Sequence, residues 1–223
     1  MPHYLLPIIV LALITTLGYF RGRKKNRWIA GWIGKECEKA LKPKKTEYVN
    51  IGGTIGYNFT YSLMHPLKNA KGTFTLLPRQ SVLYFPISLL ISRHDRFYLH
   101  IYASIRLLGE GHIIKESYLP KMRVKIAGID SMKRDVMIRS NQRYVILWRQ
   151  SVLEQPLKRL LNEFSYPEDV LHFCTYKDTK VFFLHMIPRK DHIASHLKAF
   201  IKALDSFLSG GSASHEQAKQ NES

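Results

Sequence analysis

Acidic side chains and cysteines are both scarce in this chain. Seventeen Asp or Glu stand against 34 Lys or Arg, a formal net charge of +17, and there are only two Cys in 223 residues. Two cysteines rule out a disulfide framework. Neither Cys37 nor Cys174 is read with a second Cys or a His at zinc spacing, so both are expected to pack as small apolar groups. The glycine cluster Gly52-Gly53-Thr54-Ile55-Gly56 lacks the spacing of a dinucleotide fingerprint and reads as a turn before a strand. No Ser sits in a nucleophile-elbow context, and there is no internal repeat. His192 and His196 lie four apart and share a helix face, but no nearby Glu completes a metal set. His94, Asp95 and His185 read as surface or sheet residues. No catalytic, cofactor or metal residues are assigned, and the expectation is a protein that is not an enzyme. A membrane-bound enzyme with a site assembled from scattered residues is the remaining alternative.

Long apolar runs are also rare, and the main one is at the start. Residues 4–20 carry no charge, and ten of them are Leu, Ile, Val or Phe. That length sits at the short end of a membrane span. Ten such side chains favour insertion by roughly 3–6 kcal/mol. Pro7 falls in the first turn, where a missing N–H is tolerated. The cations come after this run, in Arg21-Gly22-Arg23-Lys24-Lys25-Asn26-Arg27, and not before it. A cleaved signal peptide has the opposite order. The positive-inside rule then puts the N-terminus outside or in the lumen and residues 21–223 in the cytosol, at the cell membrane or the endoplasmic reticulum membrane. On that topology Asn58 and Asn221 are unused glycosylation sequons, and both thiols stay reduced.

Residues 21–45 hold ten of the cations against two Glu: Arg21, Arg23, Lys24, Lys25, Arg27, Lys35, Lys39, Lys42, Lys44 and Lys45. These ten are the candidate phosphate contacts. Such a balance suits a polyanion, either anionic lipid or RNA. Lipid and topology account for residues 21–27; the cations spread over the rest of the chain leave RNA open.

The periodicities give an expected organisation. Residues 21–45 form a basic juxtamembrane segment whose amphipathic helix, 24–41, carries Trp28, Ile29, Trp32, Ile33, Cys37 and Leu41 at helical spacing and ends before Pro43. Residues 46–208 form one α+β domain with a largely antiparallel sheet and packed helices. Strands are expected at 55–63 and 71–77, forming a hairpin around the loop 65–72, and at 96–104, 112–116, 123–126, 135–139, 170–175 and 180–187. Residues 144–148 read as a strand or a helix entry. Residues 81–91 are apolar and read as a buried helix weakened or kinked by Pro86; contact with partner membrane helices is the alternative. Helices follow from Val152 to Phe164 and from Ile193 to Leu208, with Asp191 near the start of the second. Residues 209–223 have no apolar period and read as a disordered tail.

Several of these segments together resemble a family. A span is followed by Lys24-Lys25-Asn26-Arg27 and by Ala30 and Trp32. Strands then carry Tyr57-Asn58 and lead to Leu77-Pro78-Arg79-Gln80. An apolar helix bears Leu83, Leu89 and Leu90, a strand runs Phe97-Tyr98-Leu99-His100-Ile101, and the chain closes helix, strand, strand, helix. This order, over roughly residues 4–208, is similar to calumin, the single-pass coiled-coil-domain subunit of the PAT complex within the multipass translocon. The chain resembles a compact form without that family's acidic lumenal segment and C-terminal coiled coil, so calcium binding is not carried over. The resemblance implies a non-enzymatic, chaperone-like accessory factor for the insertion and folding of multi-spanning membrane proteins. Its partners would be the Sec channel, insertase-type membrane proteins, the ribosome with its RNA, and nascent membrane proteins as clients. The other reading is a membrane-tethered basic module that binds anionic lipid or RNA without a role in insertion.

Overall fold

A computed structural model of the chain describes residues 5–123 and 126–209. Its first element is a single helix, α1 (Leu5–Leu41). The apolar run and the amphipathic segment are therefore one continuous rod, about 55 Å long at 1.5 Å per residue. Its first half is apolar and unburied, and by length and composition can cross a membrane. Its second half packs into the domain through Ile29, Ile33, Cys37 and Leu41. The helix ends where Lys42 turns to positive φ, just before Pro43.

The domain is built on a nine-stranded, wholly antiparallel sheet. Its strands are β1 (Lys45–Asn50), β2 (Gly56–Ser62), β3 (Leu67–Thr75), β4 (Arg96–Ala103), β5 (Gly111–Lys115), β6 (Lys133–Arg139), β7 (Gln142–Trp148), β8 (Val170–Tyr176) and β9 (Val181–Met186). They lie in the order β1-β2-β3-β4-β9-β8-β5-β7-β6. The helices are α2 (Phe85–Ser92), α3 (Leu119–Arg123), α4 (Glu154–Glu163) and α5 (His192–Ala203). The expected α+β class with an antiparallel sheet is thus the observed one.

Alternation along the strands sorts the side chains. Phe97, Leu99 and Ile101 of β4, Phe182 and Leu184 of β9, and Phe173 of β8 face the main core, which α1, α4 and α5 close with Ile33, Leu157, Leu160, Leu197 and Phe200. A smaller core on the other face joins Ile114, Val145 and Leu147 to Met122, Ile126 and Met132. Glu36 ties α1 to α5. Its carboxylate accepts the backbone N–H groups of Asp191 (2.6 Å) and Ala194 (3.1 Å), so a residue 155 positions away caps the α5 N-terminus.

Several expectations need correction. β1 was not foreseen; its six residues are all exposed, and it is an edge strand that shows no buried alternation. β3 begins at Leu67, so most of the expected loop 65–72 is strand. The strand expected at 123–126 is not one. α3 ends at Arg123 and Ile126 packs in the small core, while residues 124 and 125 lie outside the described residues. The last helix stops at Ala203 and tightens into a 3-10 turn, Leu204–Phe207. Of the expected disordered tail, 210–223 lies outside the described residues.

Candidate membrane-facing site

The largest correction concerns residues 81–91. The helix there, α2, has Pro86 in its first turn, where proline is tolerated, and is not kinked by it. Nor is it core: among its residues only Ser88 is buried. Leu90 is 82% exposed and Ile91 70%, and Leu83, Tyr84 and Ile87 are exposed as well. A soluble surface rarely shows so contiguous an apolar patch.

The position of α2 follows from how α1 meets the segment before it. Gly18, Gly22 and Asn26 lie four apart, on one face of α1. A Cβ on Gly18 would stand 2.2 Å from Val82 Cγ2, and one on Gly22 would stand 2.0 Å from the Arg79 carbonyl oxygen. The two backbones can meet so closely only because both positions are glycine. Asn26 then fastens the contact. Its Nδ2 donates to the Leu77 carbonyl (2.9 Å) and to Gln80 Oε1 (3.2 Å), and its Oδ1 accepts from Arg79 Nη1 (3.0 Å). Arg79 also makes a bidentate pair with Asp95 (2.9 and 2.8 Å), and Asp95 accepts the Leu77 N–H (2.7 Å). Asp95 is thus a buried structural carboxylate, not a surface residue. The result holds Val82, and the α2 that follows, at the border between the apolar and basic parts of α1.

The ten predicted phosphate contacts surround that border and the rod below it. Nine are exposed, and Arg23 is half-buried with its guanidinium donating to the Tyr19 hydroxyl (3.2 Å). Lys24, Arg27 and Lys35 fall on the side of α1 opposite Gly22, Asn26, Ile29 and Ile33, and Arg21, Lys25 and Lys39 flank that packed face. Lys25 Nζ lies 4.3 Å from the Trp28 ring centre. Lys42, Lys44 and Lys45 continue the charge toward β1. Among the described residues, none of the ten is in an ion pair.

At the C-terminal end of α2 opens a groove of about 800 Å³, lined by Leu90 and Ile91, by Arg93, His94 and Arg96, and by Tyr98, Ser117, Tyr118, Lys121, Leu171 and His185. His185 stacks on Tyr98 with 4.3 Å between ring centres, and Tyr118 meets it edge-on at 5.1 Å. This groove was not read from the sequence, because it gathers residues from four separate stretches.

A second polar cluster was also missed. His112 of β5 and His172 and Cys174 of β8 are buried, with potential ligand atoms all within 4.8 Å of one another. The spacing His172-Phe173-Cys174 put two of them on one strand face; strand pairing brings His112 opposite Cys174. His112 Nδ1 and His172 Nε2 share a hydrogen bond of 3.1 Å, and His112 Nε2 lies 3.4 Å from Glu110. Burial, then the neighbouring imidazoles His112 and His185, pushes the His172 pKa well down, and burial pushes the Cys174 thiol up. Two imidazoles and a thiol are donors suited to zinc. By contrast, His192 and His196 do not act together. His192 Nδ1 is 2.5 Å from Asp169 and stacks on Tyr166, while His196 is buried against Phe164.

No protein-family model and no curated protein matches this chain. The fold and the site define a class only: an α+β domain behind one N-terminal helix able to cross a membrane, with an exposed apolar helix and unpaired cations at the junction.

Proposed function

We propose that the chain is a membrane-anchored, non-enzymatic accessory factor for the insertion and folding of multi-spanning membrane proteins, working beside the Sec channel and the ribosome. The first half of α1 crosses the bilayer of the cell or the endoplasmic reticulum, with its N-terminus outside or in the lumen. Residues 21–209 lie on the cytosolic side. The observation that carries this reading is α2. An uncharged, unburied helix is pinned at the level where α1 changes from apolar to basic. At that level α2 lies in the interfacial zone of the bilayer and offers client spans an apolar surface before they reach their own partners. The cations of α1 face lipid headgroups or ribosomal RNA, where contacts to phosphate are mainly electrostatic. The continuity of α1 also supports an uncut anchor, since the half that fills the domain core extends directly from the apolar half.

Photoreactive side chains at Leu83, Ile87 and Leu90 test this. During translation of a multi-spanning substrate on native membranes, the expected adducts are with nascent spans, Sec-channel or insertase subunits. Adducts with none of these, together with affinity capture in mild detergent that recovers no translocon or ribosomal component, would remove the reading.

The ten unpaired cations of residues 21–45 favour a second reading, a tethered module that binds anionic lipid or RNA without a role in insertion. Vesicle sedimentation and RNA shift assays across a salt series separate the two ligands. An affinity that does not fall with salt removes both electrostatic modes.

A further inference from the structure

We propose that the groove at the end of α2 holds the phosphate headgroup of an anionic phospholipid; this rests on the reading above only in that α1 crosses the bilayer. Three observations lead there.

The first is place. The mouth of the groove is formed by Leu90 and Ile91, the most exposed apolar residues of α2. The Gly18–Val82 contact sets α2 at the edge of the apolar stretch of α1. An acyl chain in the outer part of the bilayer lies against Leu90 and Ile91, and its headgroup then reaches the groove.

The second is charge. Arg93, Arg96 and Lys121 line the groove and, among the described residues, no acidic residue does. Elsewhere several of the domain's cations are paired: Arg79 with Asp95, Arg149 with Glu110, Lys158 with Asp135 and Arg189 with Asp169. Among the described residues, none of the three groove cations is in such a pair. Arg93 is held at φ +62° as the C-cap of α2, a conformation that favours glycine or asparagine. An arginine stands there, exposed and without an acidic partner among the described residues, next to a helix C-terminus that itself favours a cation.

The third is lining. Tyr98 stacks on His185 and Tyr118 meets it edge-on to complete an aromatic wall, with Lys121 Nζ 5.8 Å from the Tyr118 ring centre. Aromatic rings beside cations suit the headgroup layer of a membrane. A volume near 800 Å³ also accommodates a headgroup with its glycerol. Near an anionic leaflet each cation contributes about five-fold in affinity, so the three together supply on the order of a hundred-fold.

The experiment uses the full chain in phosphatidylcholine nanodiscs doped with a photoreactive phosphatidylglycerol, with adducts mapped by peptide mass spectrometry. Adducts are expected on residues 90–98 and 117–121, reduced tens-fold in R93Q/R96Q/K121Q and also in S117E, which places a carboxylate in the groove on an exposed side chain. R134Q/K198Q, at two exposed cations outside the groove and outside residues 21–45, should leave the yield at the groove unchanged. Unchanged labelling of the groove in both groove variants overturns the proposal. So does equal labelling by a photoreactive phosphatidylcholine. Competition by glycerol phosphate as strong as by unlabelled phosphatidylglycerol would make the site one for a soluble anion and overturn the lipid assignment. Carbonate extraction of the same chain from vesicles is read in parallel: release into the supernatant sinks the anchored reading itself, whereas a retained chain with an unlabelled groove sinks only the headgroup site.

Discussion

The carbonyl oxygen of Arg79 lies where the Cβ of any larger residue at position 22 would have to be, 2.0 Å from its ideal place. Backbone on both sides of this contact leaves little room to relax. Gly22→Val should therefore destabilise the domain by about 1–3 kcal/mol, measured by denaturant titration in mild detergent. Gly31, on the same helix, has nothing within 4 Å of its would-be Cβ. Gly31→Ala should raise stability by up to about 1 kcal/mol through helix propensity. Equal effects of the two changes would contradict the close approach.

The Asn26–Arg79–Asp95 network predicts coupled losses. Arg79→Ala leaves the Asp95 carboxylate buried with its charge uncompensated and should cost about 3 kcal/mol. Asn26→Ala removes bonds to residues 77, 79 and 80 and should cost about 1–2 kcal/mol. Since Arg79 serves both partners, the double variant should lose less than the sum by roughly 0.5 kcal/mol or more. Trypsin should also cleave faster after Arg93 in either variant, because the network fixes the strand start and the loop on either side of α2. Strict additivity with unchanged cleavage would show that the network does not hold α2 in place.

What the sequence makes legible follows from which interactions are local. α4 and α5 announce themselves by apolar residues three and four apart, and β4, β8 and β9 by dense aromatic and β-branched residues. The juxtamembrane cations are readable because charge beside an apolar run has a topological meaning on its own. α2 misled because apolar composition does not distinguish a core from a membrane surface; only packing tells which, and here the packing is set by Gly18 and Gly22, sixty and more residues earlier. The cap that Glu36 supplies to α5, and the meeting of His112 with Cys174, depend on sheet order and helix docking. No local pattern encodes these.

Glu36 provides a direct test of that long-range cap. Its carboxylate is buried and serves two N–H groups at the α5 N-terminus. Asp191, at the N-cap position, makes no side-chain cap bond. Glu36→Ala should cost about 1–3 kcal/mol and should selectively speed amide exchange over the first turn of α5. Asp191→Ala should leave that exchange nearly unchanged. The reverse ranking would assign the cap to Asp191.

Both thiols should resist modification in the folded chain. Cys37 is fully buried; burial first, then the carboxylates of Glu36 and Glu38, push its thiol well above its usual range. Cys174 is likewise pushed up by burial. Thiolate is the reactive form, so a maleimide at neutral pH should label native chain on the order of a hundred-fold more slowly than denatured chain. Rapid labelling of either cysteine without denaturant would mean that α1 or β8 opens readily from the core.

Stability should fall on the acid side, with His196 a main cause. Burial, then the nearby His192, lowers its pKa to about 4 from an ordinary 6.5. The folded state therefore excludes a proton that the unfolded chain accepts. The stability this group permits is complete above about pH 6.5 and is lost as pH falls from 6.5 toward 4. The full difference is on the order of 3 kcal/mol. His172, also pushed well down by burial, adds to the loss in the same direction. At His196 neither ring nitrogen has a hydrogen-bond partner among the described residues, and the ring stands edge-on to Phe164. His196→Leu should thus change stability little at pH 7.5, since an apolar side chain of similar size fills the place of an unsatisfied polar one. At pH 5 the same variant should be clearly more stable than the unaltered chain, by thermal unfolding in detergent at both pH values. If the two chains lose stability in parallel between pH 7.5 and 5, the proton is taken up elsewhere and His196 is not the acid-sensitive group.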